Sequence, residues 1–96
     1  MPEAHAIPDG RGRAYDLEGW AVAVFNDGGT FRAIDDTCPH QGASLGEGTY
    51  HRGRVICPWH NWVFDALTGA CPGVPEISVA VYPVRVRDGA VEVELP

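Results

Sequence analysis

The C-terminal end of the chain alternates between apolar and polar residues over two short stretches. Residues 82–87 read Tyr-Pro-Val-Arg-Val-Arg, and residues 91–95 read Val-Glu-Val-Glu-Leu. Alternation with a period of two is typical of a β-strand with one buried face. Between the stretches, Asp88 and Gly89 suit a two-residue hairpin turn because both tolerate positive φ. The pattern therefore predicts an antiparallel hairpin in which Arg85 lies opposite Glu92 on the outer face.

The first third of the chain predicts a second group of strands. Residues 20–25 form an unbroken apolar run that is rich in valine and too short for a helix, which favours a buried strand. Residues 13–17 precede this run as a further candidate strand. Asp27-Gly28-Gly29 is a turn signal, and residues 30–35 follow it as the partner strand. Short strands are also expected at residues 55–56 and 62–64.

These short strands define the expected fold class, since we find no long segment with the 3.6-residue periodicity of an amphipathic helix. The sequence predicts a mostly β protein whose sheets pack as a sandwich or a small barrel. Its 96 residues are the length of one domain, so we expect a single domain over residues 1–96.

The charge balance is acidic. Thirteen Asp and Glu residues stand against seven arginines and no lysine, which gives a formal net charge of −6. Nucleic acid is bound by basic surfaces, so this balance speaks against nucleic-acid binding. It favours instead a partner that carries a basic docking patch.

The N-terminus and the hydropathy of the chain bear on its location. The first residues contain neither a basic segment nor an apolar segment of the kind found in signal peptides. No apolar run approaches the roughly 20 residues needed to span a bilayer. We therefore expect a soluble, cytoplasmic protein with no membrane association.

Two pairs of soft ligands dominate the middle of the chain. Cys38 and His40 form a C-x-H pair, and after sixteen residues Cys57 and His60 form a C-x-x-H pair. Thiolate and imidazole are both ligands of iron, copper and zinc. The spacing therefore predicts a metal centre built from two loops.

This pattern resembles the Rieske family of [2Fe–2S] proteins. The resemblance includes the flanks Asp35-Asp36-Thr37, Gln41-Gly42-Ala43-Ser44-Leu45, Phe64-Asp65 and Thr68-Gly69, and it extends over roughly the whole chain. It implies a Rieske-type β-sandwich or small barrel with two cluster-binding loops at one end. It also implies that Cys38 and Cys57 bind the inner iron of a Rieske [2Fe–2S] cluster, and that His40 and His60 bind the outer iron.

A structural zinc site is the alternative for the same four residues. Cys₂His₂ is a common ligand set of structural zinc. A zinc finger, however, usually takes both cysteines from one knuckle and both histidines from one helix. Here each loop supplies one cysteine and one histidine, which favours the two-iron cluster.

The resemblance also bears on the reduction potential. High-potential members of the family carry a disulfide between the loops, at positions that correspond to Ala43 and Trp59. They also place serine and tyrosine hydroxyls near the cluster, at positions that correspond to Trp62 and Phe64. Fewer donors make reduction harder, so we expect the low end of the Rieske range, about −150 mV.

Four further residues have separate interpretations. His5 and His51 match no motif and are expected at the surface. Cys71 begins the segment Cys71-Pro72-Gly73-Val74-Pro75, which matches the proline-containing loop that covers the iron–sulfur cluster in the family. We interpret Cys71 as a small buried hydrophobic residue. The alternative is that Cys71 lies near the iron–sulfur cluster. Asn61 stands where the family commonly has glycine, and asparagine tolerates the left-handed conformation better than most residues.

The resemblance implies an electron-transfer component with no catalytic residues. The chain is similar to stand-alone Rieske ferredoxins, which carry single electrons from a flavin-dependent reductase to a terminal oxygenase. The alternative is the small subunit of an assimilatory NAD(P)H nitrite reductase, which would partner the large subunit. A structural zinc module is the third hypothesis.

Overall fold

In the computed structural model, residues 6–39, 42–58, 62–74 and 76–96 are described. They form nine β-strands: β1 (Gly12–Leu17), β2 (Trp20–Asp27), β3 (Thr30–Asp35), β4 (Thr49–His51), β5 (Arg54–Ile56), β6 (Val63–Asp65), β7 (Val81–Tyr82), β8 (Val84–Arg87) and β9 (Ala90–Val93). A 3₁₀ turn covers Leu45–Glu47. None of these ranges contains a helix that could span a lipid bilayer. The mostly β fold class predicted from the sequence is confirmed.

The strands form three antiparallel sheets. The largest has the order β1-β2-β3-β7, the second has the order β4-β5-β6, and β8 and β9 form a separate hairpin. None of these sheets closes on itself within the described ranges, so the small barrel, which was one of the two predicted arrangements, is wrong. Instead, the largest sheet shares one hydrophobic cluster with the second sheet and another with the hairpin, which agrees with the predicted sandwich.

Strand β2 lies at the centre of this packing and explains its unbroken apolar run. Successive side chains of a strand point to opposite faces. Ala23 and Phe25 belong to a first hydrophobic cluster that includes residues of the β4-β5-β6 sheet. Val22 and Val24 belong to a second cluster that includes residues of the β8-β9 hairpin. Because both faces of β2 are covered, all four side chains are buried.

The predicted burial of the whole run 20–25 is wrong at its start. Trp20 is 43% exposed and Ala21 is also exposed. Both follow directly on the turn at Glu18-Gly19, where β1 and β2 are joined.

Tight turns set the register of the hairpins. Asp88 and Gly89 both have positive φ, at 51° and 78°, as predicted for the turn between β8 and β9. The turns at Glu18-Gly19, Gly28-Gly29 and Arg52-Gly53 have positive φ at both positions as well. The register places Arg85 opposite Glu92, and the Nε atom of Arg85 lies 2.6 Å from Oε1 of Glu92, which confirms the predicted pair.

The predicted continuous strand over residues 82–87 is divided at Pro83. Val81 and Tyr82 pair with β3 in the large sheet, whereas Val84–Arg87 pairs with β9. Proline has no N–H to donate to a ladder, which favours a break at this position. The carbonyl of Pro83 still accepts a 2.8 Å hydrogen bond from the N–H of Glu94, so the chain passes directly from one sheet to the next.

Candidate metal centre

Two loops present the predicted cysteine ligands, and their closing hydrogen bonds are equivalent. In the first loop the N–H of Cys38 donates to the carbonyl of Ala43 at 2.9 Å. In the second loop the N–H of Cys57 donates to the carbonyl of Trp62 at 2.7 Å. In each loop the main-chain N–H of the cysteine is thus hydrogen-bonded to the carbonyl five residues further along the chain. Because the two loops are closed by equivalent hydrogen bonds, each loop can present its cysteine at the same place within the loop.

Each loop also has a local reason for its shape. In the first loop the N–H of Gly42 donates to the carbonyl of Cys38 at 2.7 Å, with Gly42 at a φ of +75°. Glycine adopts this left-handed conformation without steric cost. The second loop continues from β5 and returns into β6, so the β5-β6 ladder fixes its two ends.

Both cysteine side chains are almost fully buried. Cys38 and Cys57 are each 1% exposed, and both belong to the first hydrophobic cluster, together with Val55 and Phe64. Neither is in a disulfide. An uncompensated thiolate in such apolar surroundings would be costly. Iron bonded to the two sulfur atoms would remove that cost, so these buried cysteines fit an iron–sulfur cluster.

The other two predicted ligands, His40 and His60, lie outside the described residues, as do His5, Trp59 and Asn61. Among the described residues no group of three or more His, Cys, Asp or Glu side chains comes together as a metal site. The structure therefore places Cys38 and Cys57 in one hydrophobic cluster, and the assignment of all four residues as metal ligands stays a prediction. His51 is exposed on β4, as predicted.

The residues expected to influence the iron–sulfur cluster lie in the first hydrophobic cluster or pack against it. Ala43 and Phe64 are both buried in the first hydrophobic cluster, and neither has a donor group on its side chain. Trp62 is half-buried and packs against the same cluster. It also lines a groove of about 370 Å³, together with Arg54, Val63 and residues 71–74. Trp62 thus packs against the first hydrophobic cluster and also forms part of the surface beside the second loop.

The proline-containing loop packs beside the same cluster. Cys71 is 3% exposed within it, which agrees with its interpretation as a small buried hydrophobic residue. The carbonyl of Cys71 accepts from the N–H of Val74 at 3.0 Å, and the carbonyl of Val74 accepts from the N–H of Ile77 at 3.0 Å. Val74 and Ile77 pack against the first hydrophobic cluster. The loop thereby covers apolar surface that would otherwise meet water.

A buried tyrosine contributes to the first cluster from β4. The ring of Tyr50 stacks on that of Phe25, with centroids 5.2 Å apart, and its hydroxyl donates to Oδ2 of Asp27 at 2.8 Å. Burial, followed by the hydrogen bond to Asp27 and its negative charge, raises the pKa of Tyr50 to about 12. The phenol of Tyr50 therefore stays neutral at physiological pH and adds no charge to the first hydrophobic cluster.

One residue that the sequence interpretation missed lies two positions before Cys38. The carboxylate of Asp36 accepts a hydrogen bond from the Ser44 hydroxyl at 2.9 Å and from the Gly46 N–H at 2.7 Å. Aspartate often bonds to nearby backbone N–H groups in turns. That tendency was the available signal, but it did not indicate which of the two adjacent aspartates would serve the loop.

A sequence model of the family described as "Rieske [2Fe-2S] domain" matches residues 1–83. The anthranilate 1,2-dioxygenase ferredoxin subunit of Burkholderia cepacia is 43% identical over 76 residues, which are 77% of this chain and 69% of that protein. Apoptosis-inducing factor 3 of mouse and of human is 41% identical over 70 residues, or 72% of this chain. The match spans only 11% of those two proteins.

Two solved structures are informative for the fold. A chain in the complex of reduced oxygenase and oxidized ferredoxin in carbazole 1,9a-dioxygenase superposes with a TM-score of 0.87 at 32% identity, covering 98% of both chains. The putative NADH-dependent nitrite reductase small subunit from Mycobacterium tuberculosis also gives a TM-score of 0.87 at 32% identity, covering 97% of this chain and 89% of that one.

Proposed function

The chain belongs to the Rieske [2Fe–2S] domain family, and from this premise we propose that it is a one-electron carrier whose cluster is bound by residues of the two loops. Cys38 and Cys57 would bind one iron, and His40 and His60 would bind the other. The observation that carries the proposal is the pair of equivalent loops, each of which delivers a buried cysteine to the first hydrophobic cluster. We also propose that residues 1–96 form a single domain.

The chemistry of the site suits electron transfer rather than substrate conversion. A Rieske cluster takes up one electron. With two thiolates and two neutral imidazoles as ligands, the oxidised cluster is neutral and the reduced cluster carries one negative charge. Apolar packing around Cys38 and Cys57 disfavours the charged form. We assign no catalytic residue, and the dioxygenase relative named above is a ferredoxin subunit, which is an electron-transfer component.

The proposed partners follow from the relatives. One relative is the ferredoxin subunit of a dioxygenase, and one similar structure is a ferredoxin in complex with an oxygenase. We propose that this chain receives electrons from a flavin-dependent reductase and delivers them to a terminal oxygenase. The net charge of −6 supports partners with basic docking patches. A cytoplasmic location is part of the same proposal.

A second candidate function has its own supporting observation. The putative nitrite reductase small subunit from Mycobacterium tuberculosis is as similar in fold and identity as the carbazole dioxygenase ferredoxin. In that case the partner would be the large subunit of an assimilatory nitrite reductase. The proposed iron–sulfur cluster would be the same, and the two functions would differ in the partner proteins.

The cluster proposal is tested by EPR of the anaerobically purified, dithionite-reduced protein. We expect a rhombic signal whose average g value lies below that of the free electron, and iron in place of zinc by elemental analysis. His40→Ala and His60→Ala should each abolish the signal. His51→Ala is the matched control, because His51 is exposed on β4, and should leave the signal intact. A silent wild-type protein that contains zinc would establish the structural zinc alternative instead.

The partner proposal needs a separate experiment. The photoreduced protein is mixed anaerobically with an aromatic-ring dioxygenase, or with the large subunit of a nitrite reductase, and its reoxidation is followed by visible absorption. Fast, salt-sensitive reoxidation by the oxygenase is the expected result. Reoxidation by the nitrite reductase subunit alone would contradict the ferredoxin assignment and support the second candidate.

A further inference from the structure

The two cluster-binding loops differ at their bases, although their closing hydrogen bonds are equivalent. At the base of the second loop, Ile56 pairs with Val63 and Val55 pairs with Phe64 in a regular antiparallel ladder. At the base of the first loop, among the residues that the structure describes, Thr37 and Ser44 form a single isolated bridge. A single bridge constrains two chain segments less than a ladder does. The first loop therefore needs another source of rigidity.

The carboxylate of Asp36 accepts hydrogen bonds that connect the two segments at the base of the first loop, where a β-ladder is lacking among the described residues. Its Oδ1 atom accepts from the Ser44 hydroxyl at 2.9 Å and from the Gly46 N–H at 2.7 Å. The main-chain carbonyl of Asp36 accepts from the N–H of Leu45 at 2.7 Å. The main-chain bond is one of the two that form the Thr37–Ser44 bridge. The two carboxylate bonds are additional to that bridge, and they hold the segment that leaves the first loop against the segment that enters it, two residues before Cys38.

The segments that Asp36 joins are themselves fixed to the large sheet. The N–H of Asp36 donates to the carbonyl of Ala21 on β2 at 3.0 Å. Gly46 packs so closely on β1 that a Cβ atom at this position would lie 2.7 Å from the N atom of Ala14. Because one segment is hydrogen-bonded to β2 and the other is packed tightly on β1, Asp36 links two segments that the large sheet holds in place.

We propose that Asp36 is the positioning residue for the Cys38 half of the cluster. This inference rests on the proposed function, in which Cys38 is a ligand. Asp36 acts through the loop: it holds the backbone on which Cys38 is presented. Charged acceptors make stronger hydrogen bonds than neutral ones, so a carboxylate is well suited to the task. Removing it should release the first loop while the second loop stays anchored by its ladder.

The adjacent residue Asp35 provides a matched control. Its carboxylate also accepts one hydroxyl hydrogen bond and one main-chain hydrogen bond, from Tyr82 at 2.6 Å and from the N–H of Ala80 at 2.9 Å. Asp35 and Asp36 are both half-buried. The two residues thus match in type, burial and number of bonds, but Asp35 is tied to β7 and Asp36 to the first loop.

The experiment compares holo forms of Asp36→Ala, Asp36→Asn and Asp35→Ala. Cluster loss to a chelator is followed by visible absorption, alongside EPR line shape and melting temperature. We expect Asp36→Ala to lose the cluster about tenfold faster and to broaden or shift the EPR signal, since two bonds to a charged acceptor are lost. Asp36→Asn keeps an oxygen acceptor but loses the charge, so its cluster loss should lie between that of wild type and that of Asp36→Ala. Asp35→Ala should lower the melting temperature as much as Asp36→Ala, with wild-type cluster loss and line shape.

Several results would overturn the inference. If Asp35→Ala and Asp36→Ala lose the iron–sulfur cluster at the same rate, the cause is a general loss of stability. If Asp36→Asn loses it as fast as Asp36→Ala, the negative charge of the carboxylate is responsible, and not the position of the hydrogen-bond acceptor. If Asp36→Ala does not accumulate as folded protein, Ser44→Ala takes its place: about threefold faster cluster loss supports the proposal, and wild-type loss contradicts it. Absence of the rhombic signal from wild-type protein would instead refute the proposed function itself.

Discussion

The hydroxyl of Tyr82 donates a 2.6 Å hydrogen bond to Oδ1 of Asp35 and so joins the short strand β7 to the end of β3. Strand β7 has only two residues, and its ladder with β3 consists of two residue pairs. The same carboxylate accepts from the N–H of Ala80, directly before the strand. Strand β7 is therefore held in the sheet by a side chain as much as by its own ladder.

Tyr82→Phe should lower the free energy of unfolding by about 1–2 kcal/mol, because it removes a hydrogen bond to a charged acceptor and leaves the ring in place. Urea denaturation measures the change. Tyr15→Phe is the control: Tyr15 is half-buried in the second hydrophobic cluster, and no hydrogen bond of its hydroxyl is found among the described residues. A loss of the same size in both variants would show that the Asp35 bond is not the cause.

Stability should also fall in alkaline solution. Burial, followed by hydrogen bonds to Asp27 and Asp35, raises the pKa values of Tyr50 and Tyr82 to about 12, from an unfolded value of 10.0. Below pH 10 both states keep the phenolic protons, so the stabilisation is complete. Between pH 10 and about 12 the unfolded chain loses them first, and stability decreases as the pH rises. The slope comes from urea denaturation across this range, and the double Tyr→Phe variant at these positions should have a shallower slope.

Two glycines with nearly the same backbone angle separate conformational strain from steric overlap. Gly69 has φ +79° and Gly89 has φ +78°. A Cβ atom at Gly89 would meet nothing within 4 Å, whereas at Gly69 it would overlap the carbonyl oxygen of Val79. We expect Gly89→Ala to cost about 1–2 kcal/mol and Gly69→Ala a further ~1–3 kcal/mol. Thermal or urea unfolding of both variants measures the difference, and equal losses would contradict the close approach at Val79.

Local features of the fold were predictable from the sequence. The turn at Asp88-Gly89 and the alternation on either side of it determine both the β8-β9 hairpin and the Arg85–Glu92 pair. All these residues are close in sequence, so turn chemistry and a period of two suffice. The spacing of Cys38 and Cys57 likewise indicated the two loops in advance, since the ligand pairs themselves mark where each loop begins.

Contacts between distant segments were not predictable in this way. Tyr50 bonds to Asp27 across 23 positions, and Tyr82 bonds to Asp35 across 47. Such pairs depend on how the sheets are stacked, which leaves no periodic signal in the sequence. The division of residues 82–87 at Pro83 is an intermediate case: the proline was visible, but the change of partner from β3 to β9 followed from the sheet order.

The reduction potential is predicted to lie near the low end of the Rieske range, at about −150 mV. The buried residue Phe64 has no hydroxyl to stabilise the reduced cluster, and Ala43 has no sulfur for a disulfide between the loops. A dye-mediated titration followed by EPR measures the potential. A clearly positive midpoint would contradict the prediction.

Restoring a donor at position 64 should raise that potential. Phe64→Tyr adds a hydroxyl within the first hydrophobic cluster, which contains Cys38 and Cys57. If its hydrogen bond favours the reduced state by about 1 kcal/mol, the midpoint rises by about 40 mV for a one-electron couple. Phe31→Tyr is the control, because Phe31 packs against the second hydrophobic cluster on the other side of β2 and should leave the midpoint unchanged. Equal shifts in both variants would mean that a general change in the protein, rather than a donor beside the cluster, sets the potential.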